Sequence, residues 1–493
     1  MKPFRVTIAA AGLLILTGCV ATSVGSYQSF GTFNSVLSSE LAVRSREYEG
    51  IERNPVVIIP GFLGSKLTDI ATGEMVWGEF STSTFSEDNL RALALPMQIG
   101  QVLSGLKSSS LPFGILDDAE IRFAGLTFSQ PGYITAVEQL EAAGYVNGDK
   151  PLPPNRKHPN LFCFAYDWRR DLPESAAKLH EFLIEKRKYL QGIYEKEYGV
   201  KDYDVQFDIV AHSMGGLLAR YYLMYGKQDL PEKPGELPNL DWSGAKIVDK
   251  LIVVGTPNDG YLDTFRELVQ GLALVPGAPR LPAGILSTFP SYYQMLPGAS
   301  GGNVAYKLKD GKRIMYYNLF NPNAWSQNKW GLCDPENDRY WQLAIPEGGT
   351  FTPEQRLKIA RDHLIKCLIR ADQFRRALTV AASVPDDCVL YLFAGDAVKT
   401  ASTIYVDVNG ELLDTEYSSG DGKILISSAR FDSTTREIKM PPRSRSPIAW
   451  QAIYHVKAAH MGLFVSDDFW HNVRYNLLMQ PMPKSGVNYK TKQ

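Results

Sequence analysis

The stretch that decides the fold is Asp208-Ile209-Val210-Ala211-His212-Ser213-Met214-Gly215-Gly216, and it runs on into Leu217-Leu218-Ala219-Arg220-Tyr221-Tyr222. An apolar run, a tight turn and a helical segment follow one another here, with Ser213 at the turn. A serine on such a turn needs small residues two positions before and after it, because the strand and the helix approach closely. Ala211 and Gly215 fill these positions, so the usual Gly-x-Ser-x-Gly pattern is Ala-x-Ser-x-Gly here. The stretch therefore predicts a nucleophilic serine between a buried strand and a helix.

Apolar runs of the same kind recur along the chain, and they are typical of strands buried on both faces of a parallel sheet. The runs are the one that begins at Pro55 and ends at Pro60-Gly61, and those at Leu161–Phe164, Val205–Val210, Leu251–Val254 and Val389–Phe393. Segments with helical spacing lie between several of them. This alternation predicts an α/β fold with a mostly parallel central sheet flanked by helices.

The composition is that of a globular protein with no basic surplus. The 493 residues include 52 Lys and Arg against 53 Asp and Glu, a formal net charge of −1, which argues against a nucleic-acid partner. Hydrophobic residues make up 44% and charged residues 21%, so disorder over most of the chain is not expected. A chain of this length can bury a large core without disulfides or metals.

The N-terminal residues have the pattern of an export signal. Met1-Lys2-Pro3-Phe4-Arg5 is a positive start, and Val6–Leu16 is an apolar run too short to span a bilayer. Leu16-Thr17-Gly18-Cys19 resembles the bacterial lipobox, in which the cysteine is acylated. We predict a lipoprotein signal peptide over residues 1–18 and lipidation of Cys19. The protein is then exported and anchored in the outer membrane or at the surface of a bacterium; the alternative is an ordinary signal peptide.

The remaining chain divides into a tether and one enlarged domain. Residues 19–48 are rich in Ser, Gly, Thr and Gln and predict a tether. Residues 49–485 form the predicted catalytic domain, with insertions at about 75–120, a lid, and 261–386, a cap. Four further cysteines, Cys163, Cys333, Cys367 and Cys388, permit up to two disulfides, although buried thiols are as compatible with their spacing.

A serine nucleophile needs a base, a carboxylate and two backbone N–H groups for the oxyanion. The residue after the serine, Met214, supplies one N–H, and Phe62 in the Pro-Gly-rich turn after the first strand is placed to supply the other. Among the histidines after Ser213, His460 follows an apolar run and precedes a final helix, which is where the base belongs. Asp396 follows the predicted strand Val389–Phe393, and Asp421 lies in a glycine-flanked loop before Ile424-Leu425-Ile426. The sequence alone does not separate the two, and the flanking glycines favour Asp421 slightly.

At these residues the chain resembles the lecithin:cholesterol acyltransferase family, which includes lysosomal phospholipase A2 and phospholipid:diacylglycerol acyltransferases. The matching pieces, in family order, are Asn54–Leu67, Ala165-Tyr166-Asp167-Trp168-Arg169, the Ser213 turn, Gly255-Thr256-Pro257-Asn258-Asp259-Gly260, the Gly-Asp-Gly loop at 420–422 and the His460 segment. The resemblance implies an α/β-hydrolase fold with Ser213, Asp421 and His460 as triad, and Phe62 and Met214 as oxyanion donors. It also implies that Trp77 contacts lipid from a lid.

The resemblance further implies a serine acyltransferase or lipase that acts on lipid esters, phospholipid or acylglycerol, with an alcohol or water as acceptor. The expected partners are this substrate and a membrane surface. No cofactor and no metal are expected, because the sequence has no phosphate-binding loop and no metal-ligand spacing. The rival hypotheses are a non-catalytic lipoprotein that binds lipid or a partner with the same fold, and an esterase for small soluble substrates.

Overall fold

The computed structural model describes residues 35–80, 82–116, 119–123, 126–130, 132–274, 279–307, 314–432 and 446–479. The predicted signal peptide and Cys19 lie outside the described residues. The strands are β1 Val56–Ile59, β2 Ser65–Asp69, β3 Met75–Trp77, β4 Ser110–Ile115, β5 Ala119–Phe123, β6 Leu126–Gln130, β7 Leu161–Cys163, β8 Phe207–His212, β9 Val248–Val254, β10 Leu272–Ala273, β11 Arg280–Leu281, β12 Asn303–Lys307, β13 Ile314–Tyr316, β14 Val389–Gly395, β15 Val398–Val406, β16 Leu412–Gly420 and β17 Trp450–Val456. The helices are α1 Ser35–Arg46, α2 Glu87–Leu93, α3 Ile134–Ala142, α4 Leu172–Tyr198, α5 Met214–Tyr225, α6 Asp263–Gln270, α7 Ala283–Leu286, α8 Pro290–Tyr293, α9 Pro322–Asn328, α10 Asp338–Ala344, α11 Pro353–Leu378, α12 Ile426–Arg430 and α13 Asp467–Leu478.

The central sheet joins six of the described strands in the order β17-β14-β9-β8-β1-β7. Every neighbouring pair in it is parallel. Every residue of β1, β8 and β9 is buried, as expected for apolar strands covered on both faces. Helix α5 contacts β1, β8 and β9, and α4 packs against α5. The predicted α/β fold with a parallel central sheet is confirmed.

The segment between β1 and β7 builds a small antiparallel sheet beside the central one. Its strand order is β3-β2-β4, and β2 begins at Ser65, directly after the turn that follows β1. Leu116 N donates to Gly64 O at 2.7 Å, which ties the end of β4 to that turn. The predicted lid segment is therefore attached to the candidate oxyanion turn through main-chain hydrogen bonds.

The segment between β9 and β14 contains α6 to α11 and two further strand pairs. Its strand β12 pairs with β15, so the sheet in the order β13-β12-β15-β16 combines the predicted cap with strands that follow β14. Helix α11 starts with a capping box in which the Thr352 and Gln355 side chains each bond the other's main-chain N–H. This segment is thus joined to the loop that carries Asp421, because β16 ends at Gly420.

The predicted tether is wrong for its last part, because residues 35–46 form helix α1 and α1 packs against α13. Ser45 Oγ donates to Ala143 O at 2.7 Å, and Arg46 Nε donates to Ala142 O at 2.6 Å. These carbonyls end helix α3, where main-chain acceptors have no partner within the helix. The C-terminal part of the segment is therefore fixed to the domain by capping another helix.

The four described cysteines form no disulfide with one another, and Cys333, Cys367 and Cys388 are buried. Burial raises the pKa of each of these three thiols, which keeps them protonated and unreactive. None of the described helices combines the length and hydrophobicity that a membrane crossing would require.

Candidate active site

Ser213 occupies the sharp turn between β8 and α5. Its backbone angles are φ 53° and ψ −124°, a conformation that residues with a Cβ adopt rarely and at a cost of about 1–3 kcal/mol. Ser213 N donates to Val254 O at 2.8 Å, so the neighbouring strand β9 holds the turn in place. The strain presents the serine hydroxyl above the carboxyl end of the sheet, where a nucleophile is accessible.

The turn packs so closely that two of its residues have no room for a side chain. A Cβ on Gly215 would lie 2.4 Å from Pro60 O, and one on Gly216 would lie 2.0 Å from Thr256 Oγ1. The Thr256 hydroxyl donates to Ser213 O at 2.9 Å. Glycine at these positions therefore lets the start of α5 approach both the turn after β1 and the loop after β9.

His460 lies between Ser213 and Asp421. Its Nε2 is 3.1 Å from Ser213 Oγ, and its Nδ1 is 2.8 Å from Asp421 Oδ2. The Asp421 carboxylate is 1% exposed. A carboxylate accepts, so Nδ1 carries the proton and the lone pair of Nε2 faces the serine hydroxyl. Asp396, the alternative acid, is exposed at the end of β14, so the structure brings Asp421 and not Asp396 to the histidine.

The Asp421 loop is ordered by its own carboxylate. Asp421 Oδ1 accepts from the main-chain N–H groups of Lys423 at 2.9 Å and Ile424 at 2.6 Å. The other oxygen is left for His460, whose main-chain N also donates to Asp421 O at 2.9 Å. Both the carboxylate and the main chain of this loop therefore fix the position of the imidazole ring.

The two predicted oxyanion donors flank Ser213. Met214 is the first residue of α5 and fully buried, and Phe62 lies in the turn that packs against the start of α5. Within the described part of the chain, neither main-chain N–H donates to another group. Free N–H groups at a helix N-terminus and in a rigid turn are the arrangement that stabilises an oxyanion. The Phe62 ring packs against Trp168 and Tyr292, with centroids 5.0 and 4.6 Å away.

Trp77, which was predicted to contact lipid from the lid segment, is buried in the structure. Its side chain is 1% exposed, packs against Phe80 and Trp168, and donates from Nε1 to Leu63 O at 3.0 Å. In this arrangement the indole faces other aromatic rings and not the surface of the segment. The reason is the position of β3, which pairs with β2 and turns Trp77 inward beneath the turn that carries Phe62.

Two polar side chains beside the nucleophile, Tyr133 and His212, were not predicted from the sequence. Tyr133 Oη lies 2.7 Å from Gly61 N and 2.9 Å from His212 Nδ1. The His212 ring packs 4.7 Å from the His460 ring. Burial lowers the pKa of His212 well below its usual value, and the neighbouring His460 ring opposes a second positive charge there, so His212 is neutral. Its place directly before Ser213 was the one available signal.

The Asp167–Arg169 corner is structural. Arg169 is fully buried, and its guanidinium donates to both oxygens of Asp167 at 2.8 Å and to Leu93 O at 2.8 Å. Trp168 Nε1 donates to Ser65 O at 2.9 Å. Among the described residues no cluster of His, Cys, Asp or Glu side chains is arranged to hold a metal ion.

A parallel sheet with a serine on a strained strand-to-helix turn defines an α/β-hydrolase. The lecithin:cholesterol acyltransferase family model matches residues 125–336, which confirms the resemblance to that family over the part of the chain that includes Ser213. Phe62, Asp421 and His460 lie outside the matched part. The match supports a lipid-ester acyltransferase or hydrolase. No curated protein sequence matches the chain.

Among solved structures, the chain is similar to one described as the Tle4-Tli4 complex, with 15% identity and a TM-score of 0.54 over 86% of this chain and 98% of that one. EstA from Clostridium botulinum aligns over 93% of both chains at 13% identity, with a TM-score of 0.33. Lipase 1 from Pelosinus fermentans aligns over 87% of this chain and 99% of that one at 12% identity, with a TM-score of 0.30. At 15% identity the first similarity bears on the fold alone. The TM-scores of the other two are too low for a conclusion about this chain.

Proposed function

We propose that this protein is a serine acyltransferase or lipase that acts on phospholipid or acylglycerol esters through an acyl-enzyme on Ser213. The observation that carries the proposal is the hydrogen-bonded series from Asp421 through His460 to Ser213, at 2.8 and 3.1 Å. Beside it lie the N–H groups of Phe62 and Met214, which donate to no other group among the described residues. The family match over residues 125–336 supports the lipid-ester substrate class.

In the first half of the reaction, Ser213 Oγ attacks the ester carbonyl carbon while His460 Nε2 takes the hydroxyl proton. The carbonyl oxygen becomes an oxyanion that accepts from Phe62 N–H and Met214 N–H. The Asp421 carboxylate stabilises the imidazolium and keeps its proton on Nδ1. His460 Nε2 then protonates the leaving alcohol as the carbon–oxygen bond breaks, which leaves the acyl group on Ser213.

In the second half, the acyl-enzyme is resolved by an acceptor. A water or a second alcohol gives its proton to His460 Nε2 and attacks the acyl carbon, and the Ser213 oxygen leaves with that proton. Water yields a fatty acid, and an alcohol yields a new ester. The balance between lipase and acyltransferase follows from how well the site excludes water.

The decisive test is incubation of the purified protein with phospholipid vesicles labelled in the acyl chain, with and without a long-chain alcohol. The wild type should release labelled fatty acid or form a labelled ester, and it should react with a fluorophosphonate. Ser213→Ala should lower turnover by roughly 10⁴- to 10⁶-fold and abolish labelling. Full activity in Ser213→Ala, or a wild type that neither reacts nor releases acyl chains, would contradict the proposal.

We also propose that acyl chains on Cys19 tether the enzyme to the membrane that holds its substrate. The support is the Leu16-Thr17-Gly18-Cys19 motif after an apolar run. Cys19→Ser should move the protein from the membrane fraction to the soluble fraction and remove the lipid mass from its N-terminal peptide. Cys163→Ser, which changes a cysteine within the folded domain, should leave both unchanged. Lipid-free, soluble wild-type protein would refute the tether.

A further inference from the structure

We propose that three aromatic side chains, Trp77, Tyr133 and Tyr166, are positioning residues that hold the turn Pro60–Leu63 so that Phe62 N–H is directed at the oxyanion. This inference rests on the proposed function, since it concerns how the same site stabilises its transition state. It assigns Trp77 a role through the main chain of the turn in place of the lipid contact that the sequence had suggested.

Each of the three side chains holds a different main-chain group of the turn. Tyr166 Oη donates to Pro60 O at 3.0 Å, Tyr133 Oη accepts from Gly61 N at 2.7 Å, and Trp77 Nε1 donates to Leu63 O at 3.0 Å. Gly64 N closes the turn on Gly61 O at 3.1 Å. The main-chain groups on both sides of Phe62 N–H thus have hydrogen-bond partners. Phe62 N–H itself donates to none of the described residues, so a ligand can accept from it.

The turn needs external support because it is strained. Leu63 has φ 65°, in the left-handed region that a residue with a Cβ enters at a cost of about 1–2 kcal/mol. Strained backbone persists where its surroundings over-determine it. Trp77 ends strand β3, Tyr133 precedes α3 and Tyr166 follows β7, so three separate segments fix the turn. All three side chains are nearly fully buried, so each polar atom is held by the bond it makes to the turn.

The turn is also tied to the nucleophile. Tyr133 Oη accepts a hydrogen bond from Gly61 N–H, so its own hydroxyl group can donate one to His212 Nδ1, 2.9 Å away. His212 is the residue before Ser213. A Cβ on Gly61 would lie 2.8 Å from the Ser213 Cβ, so the turn and the serine are in close contact. Tyr133 therefore sets the distance between the Phe62 N–H and the hydroxyl that attacks.

Loss of one of these bonds should act on the transition state and not on substrate binding. The oxyanion forms only after attack, so a misdirected Phe62 N–H lowers kcat and leaves KM nearly unchanged. A thionoester places sulfur where the ester places oxygen, and sulfur accepts hydrogen bonds weakly. The ratio of ester to thionoester turnover therefore measures the oxyanion donors directly, and it does not depend on the fraction of protein that is folded.

The experiment compares Tyr133→Phe, which keeps the ring and removes only the hydroxyl, and Trp77→Phe, which removes the indole N–H together with part of the ring system. The probes are 4-nitrophenyl butyrate and its thiono analogue. Matched controls are Trp325→Phe and Tyr225→Phe, whose polar atoms donate to Leu319 O at 2.8 Å and Ala377 O at 2.9 Å, away from the site. We expect kcat on the ester to fall about tenfold or more in both test variants, with a similar fall in the ester-to-thionoester ratio.

The controls should keep the wild-type ratio even where they lower the melting temperature. The inference is overturned if Trp77→Phe and Tyr133→Phe lose activity equally on both probes, or lose none. Failure of the Ser213 acyl-enzyme chemistry, on which the proposed function rests, looks different, because the wild type would then show no turnover of either probe beyond that of Ser213→Ala.

Discussion

Ser213 and its turn are built from neighbouring residues, whereas the groups that act on Ser213 come from distant parts of the chain. Strand β8, the turn and helix α5 span residues 207–225, and their local sequence dictates their geometry. Phe62, Asp421 and His460 lie on three separate loops, and long inserted segments separate these loops from Ser213 in the sequence. Hydrogen bonds between loops hold them there, such as His460 N to Asp421 O at 2.9 Å.

The difference teaches where the site is rigid by itself and where it depends on tertiary structure. The local half of the site is Ser213 with β8 and α5. It is strained at the Ser213 backbone and has no room for a side chain at Gly215 or Gly216. The assembled half is Phe62, Asp421 and His460. Hydrogen bonds within and between the loops of these residues hold them, independently of Ser213. Changes to the assembled half should therefore alter chemistry with little effect on folding, and changes to the local half should alter both.

The largest effect should come from removing the base of the assembled half. His460→Ala leaves Ser213 without a proton acceptor and should lower kcat by roughly 10⁴- to 10⁶-fold with an unchanged melting temperature. His455→Ala is the matched control, because His455 lies five residues earlier and is exposed on β17. Hydrolysis rates of a short-chain ester measure both. A loss in His455→Ala equal to that in His460→Ala would remove the distinction between them.

The next effect separates the two candidate acids. Asp421→Asn keeps the shape of the side chain but no longer fixes the proton on His460 Nδ1, so kcat should fall by about 10⁴-fold. Asp396→Asn changes an exposed carboxylate at the end of β14 and should leave kcat near that of the wild type. Steady-state kinetics of the two variants provide the measurement. A greater loss in Asp396→Asn would mean that the hydrogen bond at 2.8 Å is not the one that serves the reaction.

The same contrast explains what the sequence could predict. The Ser213 turn was predictable because its strand and helix are its neighbours in the sequence, and the buried strands were predictable because their apolar runs are continuous. The position of His460 followed from chain order, whereas the choice of Asp421 over Asp396 needed the family resemblance. Trp77 could not be placed, because its burial depends on Trp168, which lies 91 residues later in the chain.

Two further features were out of reach for related reasons. Tyr133 lies in no motif, and its importance arises only when α3 brings its hydroxyl to Gly61 and His212. Helix α1 is weakly amphipathic and rich in serine, so its composition indicated a tether. A tertiary contact fixes it to the domain, because two carbonyls at the end of α3 accept hydrogen bonds from the side chains of Ser45 and Arg46.

A change in the local half should combine a smaller catalytic loss with a loss of stability. Gly215→Ala places a Cβ 2.4 Å from Pro60 O, so α5 and the oxyanion turn must move apart. A displacement of this size should lower kcat by about 10²-fold and lower the melting temperature as well. Gly192→Ala in helix α4 meets nothing within 4 Å and should be neutral or stabilising. Wild-type kinetics in Gly215→Ala would show that the turn after β1 can shift away from the added Cβ without loss of activity.

The smallest catalytic effect concerns helix α11, in the predicted cap segment between β9 and β14. His363 on α11 is buried, its Nε2 lies 3.0 Å from Thr288 O, and burial lowers its pKa to about 4. In the unfolded chain this histidine takes up a proton near pH 6.5, whereas in the folded chain it stays neutral until about pH 4. The stability that His363 confers is therefore complete above pH 6.5 and is lost as the pH falls towards 4, by up to about 3 kcal/mol.

Urea unfolding of the wild type and His363→Gln at pH 7, 5.5 and 4.5 tests this. The free energy of unfolding of the wild type should fall more steeply with decreasing pH, because glutamine does not titrate. Parallel pH dependences would mean that folding does not lower the pKa of His363. At pH 7 the two proteins should have the same kcat, since His363 holds the cap segment and does not contact the Ser213–His460–Asp421 series. A lower kcat would instead mean that cap packing on α11 is transmitted to the assembled half of the site.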